Sequence, residues 1–309
     1  MFRMCSSNLA FGELAALAAA LSWTLVAVLY TSVGSRIGAL AMSLIRIAIA
    51  CALLMIYERI TRGLWLPTDI GVRAWILLGT SGFVWFFLSD LCLLKAYLLI
   101  GPRLSLLIMS LTPPMAAALS WICVGDQLAL VRWMGMAVTL GGVALVLLEQ
   151  PNRTNRTDGP GAKGQSRRGI LLALLAAALQ AIAFLLSKAG VGVCGAMAAT
   201  LIAMLGALLG HIVLVTLWRR WPAMVAATHD GQILLILTCA ATIGPFIGVV
   251  LSMTALHYAP TGVVSTIIAT MPILILPFSI FLYREKISLR AVVGAVVAIA
   301  GVALLSVPC

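Results

Sequence analysis

Long apolar runs alternate with short polar breaks along the chain. Bounded by glycine, proline or charge, they cover residues 11–33, 38–57, 73–97, 102–123, 129–149, 169–188, 193–217, 232–256, 262–283 and 288–307. A membrane-spanning helix needs about 20 apolar residues. The pattern therefore predicts ten transmembrane helices and an all-α membrane fold. One connection is long and polar, Gln150–Arg168 (QPNRTNRTDGPGAKGQSRR). Its glycine, proline, asparagine and charge content predicts a flexible linker at 150–168. Two five-helix units remain, 11–149 and 169–307.

The units repeat. Sliding residues 94–148 by 159 positions, without a gap, brings Ala96 onto Ala255, Pro113 onto Pro272 and Ser120 onto Ser279. Asp126 then meets Glu285, Gly135 meets Gly294, and Gly142-Val143-Ala144-Leu145 meets Gly301-Val302-Ala303-Leu304. Nearer the start of each unit a shift of 158 aligns Leu17–Leu21 with Leu175–Leu179, and Gly34 with Gly192. Alanine and leucine match by chance; prolines, glycines and an acid at one register do not. With an odd number of spans per unit, the second copy enters the membrane from the opposite side. Secondary transporters commonly use such inverted repeats, with the binding site between the halves.

Composition agrees. The chain is 63% apolar and 9% charged, whereas soluble domains are about 45–50% apolar and about a quarter charged. That excludes a water-soluble globule. The formal charge of +11 sits in short loops between apolar runs, so it points to lipid headgroups and topology rather than nucleic acid. Seven cysteines show no paired spacing and read as small apolar side chains. Arg3 followed by the run from Leu14 resembles a signal peptide, but the run is too long and is expected to be the first spanning helix.

The segment Ala96–Leu148, with Pro113, Gly125-Asp126, Gly135 and Gly142, resembles the EamA-type repeat of the drug/metabolite transporter superfamily. So does Ala255–Ser306, with Pro272, Arg284-Glu285-Lys286, Gly294 and Gly301. The resemblance covers 11–148 and 169–307. It implies ten helices and the export or exchange of a small metabolite or drug across a plasma (inner) membrane, with no cofactor. Asp126 stands where the family usually has glutamate. Met204 stands opposite Arg46, the basic residue often seen in the second helix.

A charge in hydrocarbon costs several kcal/mol, so it faces a cavity or a partner. Arg46 in the second run and Asp90 in the third lie at similar depth on adjacent antiparallel helices, and are expected to pair. Asp90 is the candidate to couple export to inward proton movement; the alternative is a pair that only locks two helices. Pro113 and Pro272 occupy matching positions where both fourth helices should bend around a central site, with simple curvature as the alternative. Trp23 and Trp85 sit deep in their runs, either facing a substrate or filling space. Tyr97 adds a polar candidate, and His211 either relays protons or packs. The loop acids are scattered, without a metal or nucleotide signature, which disfavours an enzyme or an ATP-driven pump. A channel would need a filter-like loop.

Orientation divides two arguments. The side of the central linker carries twelve Lys and Arg against five, or six with Lys188, on the side of the termini. Basic residues accumulate in cytoplasmic loops, which places the linker in the cytoplasm; the family resemblance implies cytoplasmic termini. A reporter fused after Cys309, active only in the cytoplasm, decides between them. The charge count predicts silence, and strong activity contradicts it.

Overall fold

The computed structural model describes residues 2–124, 130–147, 162–191, 195–258, 267–268, 270–281 and 288–305. Expectations resting on Asp126, Gly192, Arg284-Glu285-Lys286 and 150–161 of the linker lie outside the described residues, as do the side chains of Ser120, Lys188 and His257. Among the described residues the secondary structure is entirely helical. Within the described residues seven helices are long and apolar enough to cross a membrane, and two shorter apolar ones, Trp133–Leu145 and Val292–Leu304, accompany them.

Helix α1 (Phe2–Arg62) contains the first two apolar runs, broken only at Gly38 (φ 77°, ψ 161°). Such a φ is open to glycine and strained for other residues, so the chain reverses there without a loop. The second run continues to Arg62 instead of ending near 57. Glu58, expected among scattered loop acids, is buried and paired with Arg62 at 3.3 Å.

The third run is α2 (Val72–Gly82), a π-helical segment π1 (Phe83–Ser89) and α3 (Asp90–Ile100). Gly101 (φ 83°) ends it and Pro102 opens α4 (Pro102–Met109), the favoured placement for glycine after a helix and proline at its start. Then come α5 (Thr112–Val124) and α6 (Leu130–Leu147).

The second half begins with α7 (Ala162–Val191), so 162–168 of the expected linker are helical. It continues through α8 (Ala196–Leu217), α9 (Trp221–His229), α10 (Gly231–Ala241), π2 (Thr242–Gly248), α11 (Val249–Tyr258), α12 (Met271–Phe281) and α13 (Leu289–Leu305).

The internal repeat is visible in these elements. Segments π1 and π2 start 159 residues apart, the offset found in the sequence. Pro245 accounts for π2, since it removes an amide and crowds the preceding turn; π1 holds no proline.

Contacts follow the same symmetry. α2 and π1 run antiparallel to α7: Ser89 Oγ donates to Ala176 O (2.8 Å), and Ser81 Oγ to Ala183 O (3.0 Å). The first half of α1 runs antiparallel to π2 and α11, with Trp23 over Gly244 and Gly248 and the Phe11 ring 5.3 Å from Tyr258. α2 lies against α8, with Gly82 on the backbone of Ala203 and Gly206 on that of Gly79.

The closest correspondence joins α6 and α13. Gly142 packs on the backbone of Gly294 and Ala298, while Gly301 packs on Gly135 and Thr139. The 159-residue offset carries each contact into the other, the reciprocity of a two-fold interface. Outside, large apolar side chains such as Ile76, Leu209 and Phe281 are exposed, as a lipid-facing surface requires.

Gly142→Val and Gly301→Val should each cost about 1–3 kcal/mol by overpacking this interface. Thermal melting of the detergent-solubilised protein measures the loss. A Cβ at Gly141 meets open space, so Gly141→Ala should melt like the wild type. Unchanged melting in both valine variants would contradict the interface.

Candidate functional site

Residues in hydrocarbon that carry charge must be held by partners, and one cluster does this. Arg46 lies in the second half of α1, 3% exposed; Asp90 is the first residue of α3, 9% exposed. The expected ion pair is formed, Arg46 Nη2 donating to Asp90 Oδ2.

Two backbone irregularities place these groups. The Asp90 amide reaches back five residues to Trp85 O as well as to Phe87 O, the signature of a π turn. One extra residue rotates everything after it by about 100°, since an α-helix turns once per 3.6 residues. The π turn therefore sets which way Asp90 faces. The reversal at Gly38 sets Arg46, because residues equidistant from it meet across the hairpin. Tyr30 and Arg46 are each eight residues from Gly38, and the Arg46 guanidinium lies 5.1 Å from the Tyr30 ring centroid. This cation–π contact is strengthened by the dry surroundings.

Tyr97, two turns beyond Asp90, is buried and within electrostatic range of Asp90, Tyr30 and Arg46. Met42, Leu94, Ile45 and Ile275 belong to the apolar cluster that also holds both tyrosines.

Several polar atoms here have no hydrogen-bond partner of sound geometry. They are Arg46 Nε, Tyr30 Oη and Ser43 Oγ, all fully enclosed. Ser43 precedes Arg46 by three residues and shares its helix face. The Tyr30 hydroxyl is near the guanidinium, which can donate to it but offers no acceptor for its proton. Neither Tyr30 nor Ser43 stood out in the sequence; Tyr30 reaches Arg46 only through the hairpin at Gly38, and Ser43 is marked only by its three-residue spacing to Arg46.

His211 on α8 is fully buried. Its Nδ1 donates to Ala207 O (2.9 Å), Nε2 has no partner, and the ring stands edge-on to Phe87 at 4.8 Å. It is within electrostatic range of Arg46.

The other candidates sit elsewhere in the packing. Trp85 stacks on Phe86 at 4.6 Å and meets Phe184 of α7 edge-on at 4.8 Å, while Trp23 covers the glycines of π2. Pro113 and Pro272 are each the second residue of a helix, α5 and α12. The turns before them match by the same offset: Leu111 N donates to Ile108 O and Thr270 N to Ile267 O, both at 3.0 Å. Both runs therefore break where the prolines were expected to bend them, and Thr112 Oγ1 is left buried without a partner beside the first break. A separate apolar groove between α2, π1 and α8 is lined by Trp75, Phe83, Leu209 and Leu217 among others; none of the ion-pair cluster lines it.

The repeat makes the cluster one-sided. Val249 is the first residue after π2, as Asp90 is after π1, and Met204 stands where the 158-residue shift puts Arg46. Met204 is fully buried. Where one copy pairs two charges, the other packs apolar side chains.

The family model for the EamA-like transporter family matches this chain twice, at residues 10–148 and 167–307. The chain belongs to the EamA-like transporter family. As an EamA protein it is a multi-pass membrane transporter of the drug/metabolite type, built from two family repeats. A solved crystal structure, titled only "Crystal structure of protein", is similar in fold, with a TM-score of 0.62 and 17% identity over 95% of each chain. No curated protein matches the chain. The EamA repeats meet where α6 crosses α13, and the charged cluster belongs to the first of them.

Proposed function

We propose that this protein is a ten-helix secondary transporter of the plasma (inner) membrane. It moves a small metabolite or drug by alternating access between inverted repeats, and Asp90 carries the coupling proton. The observation that supports this most is the one-sided ion pair. Replacing a buried pair by apolar residues of similar volume is often neutral or stabilising, and the second repeat already uses Met204 and Val249 at these places. Packing alone therefore does not call for the charges.

The chemistry follows from charge pairing. With Asp90 ionised, Arg46 is compensated and the second half of α1 is held to α3. A proton on Asp90 removes that compensation and leaves a buried cation, which is costly in an apolar interior. Hydration of the cluster from one side, or a new partner for Arg46, then becomes favourable. The breaks before Pro113 and Pro272 and the two π segments are the places where helices can flex.

The test uses purified protein in liposomes, screened with a metabolite panel with and without a proton gradient. Asp90→Asn should abolish gradient-driven accumulation of whatever the wild type moves, while binding or exchange persists. Undiminished gradient-driven accumulation in that variant refutes the proton role.

A further inference from the structure

The unsatisfied atoms around the ion pair have one character. Arg46 Nε can only donate, and the Tyr30 and Ser43 hydroxyls each hold a proton with no acceptor. Buried polar groups normally find partners, and those that do not call for an explanation. Here the cluster lacks an acceptor. Asp90 satisfies only Nη2 of the guanidinium among these groups.

Charge counting narrows the choice. The empty cluster is neutral, Arg46 against Asp90. A cation added there would leave one positive charge without a partner, and a bare anion one negative charge. An anion arriving with a proton on Asp90 keeps the total at zero: Arg46 passes from Asp90 to the ligand, and Asp90 becomes a neutral acid. Both the empty and the loaded cluster can then cross the apolar interior without net charge.

We infer that the Tyr30–Ser43–Arg46 cluster binds the carboxylate of a small organic acid, with the coupling proton held on Asp90. This rests on the transporter reading above and gives it a substrate class. The carboxylate oxygens accept from the guanidinium, from Tyr30 Oη and from Ser43 Oγ. Anion and proton travel in the same direction, which reverses the sense of coupling expected from the sequence. The ionisable and charged groups facing Asp90 are Arg46 and Tyr30 from α1 and Tyr97 from its own helix; His211 on α8 reaches the cluster through Arg46. In the tautomer set by Ala207 O, Nε2 of His211 is an acceptor, so it does not compete for the acid.

The experiment reads ligand-induced melting shifts on the purified full-length protein, without a gradient. The probes are propionate and benzoate, their amides, propylamine and alanine, at equal ionic strength and at two pH values. Propionate or benzoate should bind about tenfold more tightly per unit fall in pH while Asp90 is ionised; amides and amine should not bind. Asp90→Asn should bind the carboxylates tightly at both pH values. Tyr30→Phe keeps the ring over Arg46 but should weaken carboxylate binding by about tenfold or more, the scale of a hydrogen bond to a charged group. Binding of alanine or propylamine in preference to the carboxylates overturns the inference, as does absence of any carboxylate binding. A pH dependence that survives in Asp90→Asn also overturns it, and assigns the proton to another group such as His211. Each of these outcomes leaves the liposome test of Asp90 standing by itself.

Discussion

An ionised group inside a bilayer has no water to fall back on, so its partner decides where the helices around it can go. In this protein the constraint acts on Arg46 and Asp90. Arg46 is brought into place by a hairpin without a loop, turned at Gly38, which also lays Tyr30 across the guanidinium. Asp90 is brought into place by the extra residue of π1, without which the carboxylate would face about 100° away. The surrounding apolar cluster keeps the pair dry and the interaction strong.

The rest of the fold is nearly symmetric, which makes the exception informative. The glycine contacts between α6 and α13 are reciprocal, the two π segments coincide in register, and the breaks before Pro113 and Pro272 use matching backbone bonds. At the positions of the ion pair this agreement ends, with Met204 and Val249 in the second copy. Two copies of one scaffold thus accept either charges or apolar side chains at equivalent points. The charges give the first copy a titratable group at a point where the second copy has none.

Much of this was legible in the sequence, and the reason differs from feature to feature. Pro113 with Pro272 and Gly142 with Gly301 were readable because proline and glycine act through the backbone, where one register leaves few alternatives. Arg46 and Asp90 were readable because charge is rare and costly in apolar runs. Tyr30 and Ser43 were not: a tyrosine in a helix is ordinary until the turn at Gly38 brings it to Arg46, and a serine three residues before an arginine is ordinary in any helix. The π turn at Phe83–Ser89 leaves no proline or glycine inside it to announce it. Glu58 looked like a loop acid because its burial depends on the helix continuing to Arg62. Trp23 and Trp85 were visible as deep aromatics, yet their neighbours in π2 and α7 are helix surfaces.

The most direct measurement is gradient-driven transport by the double variant Arg46→Met/Asp90→Val, which writes the second repeat's residues into the first. Melting of the same preparation reports whether the fold survives. The account predicts a protein that melts at or above the wild-type temperature, because both charges leave together, and that no longer accumulates the wild-type substrate against a gradient. A double variant that is folded and accumulates substrate as the wild type does would contradict it.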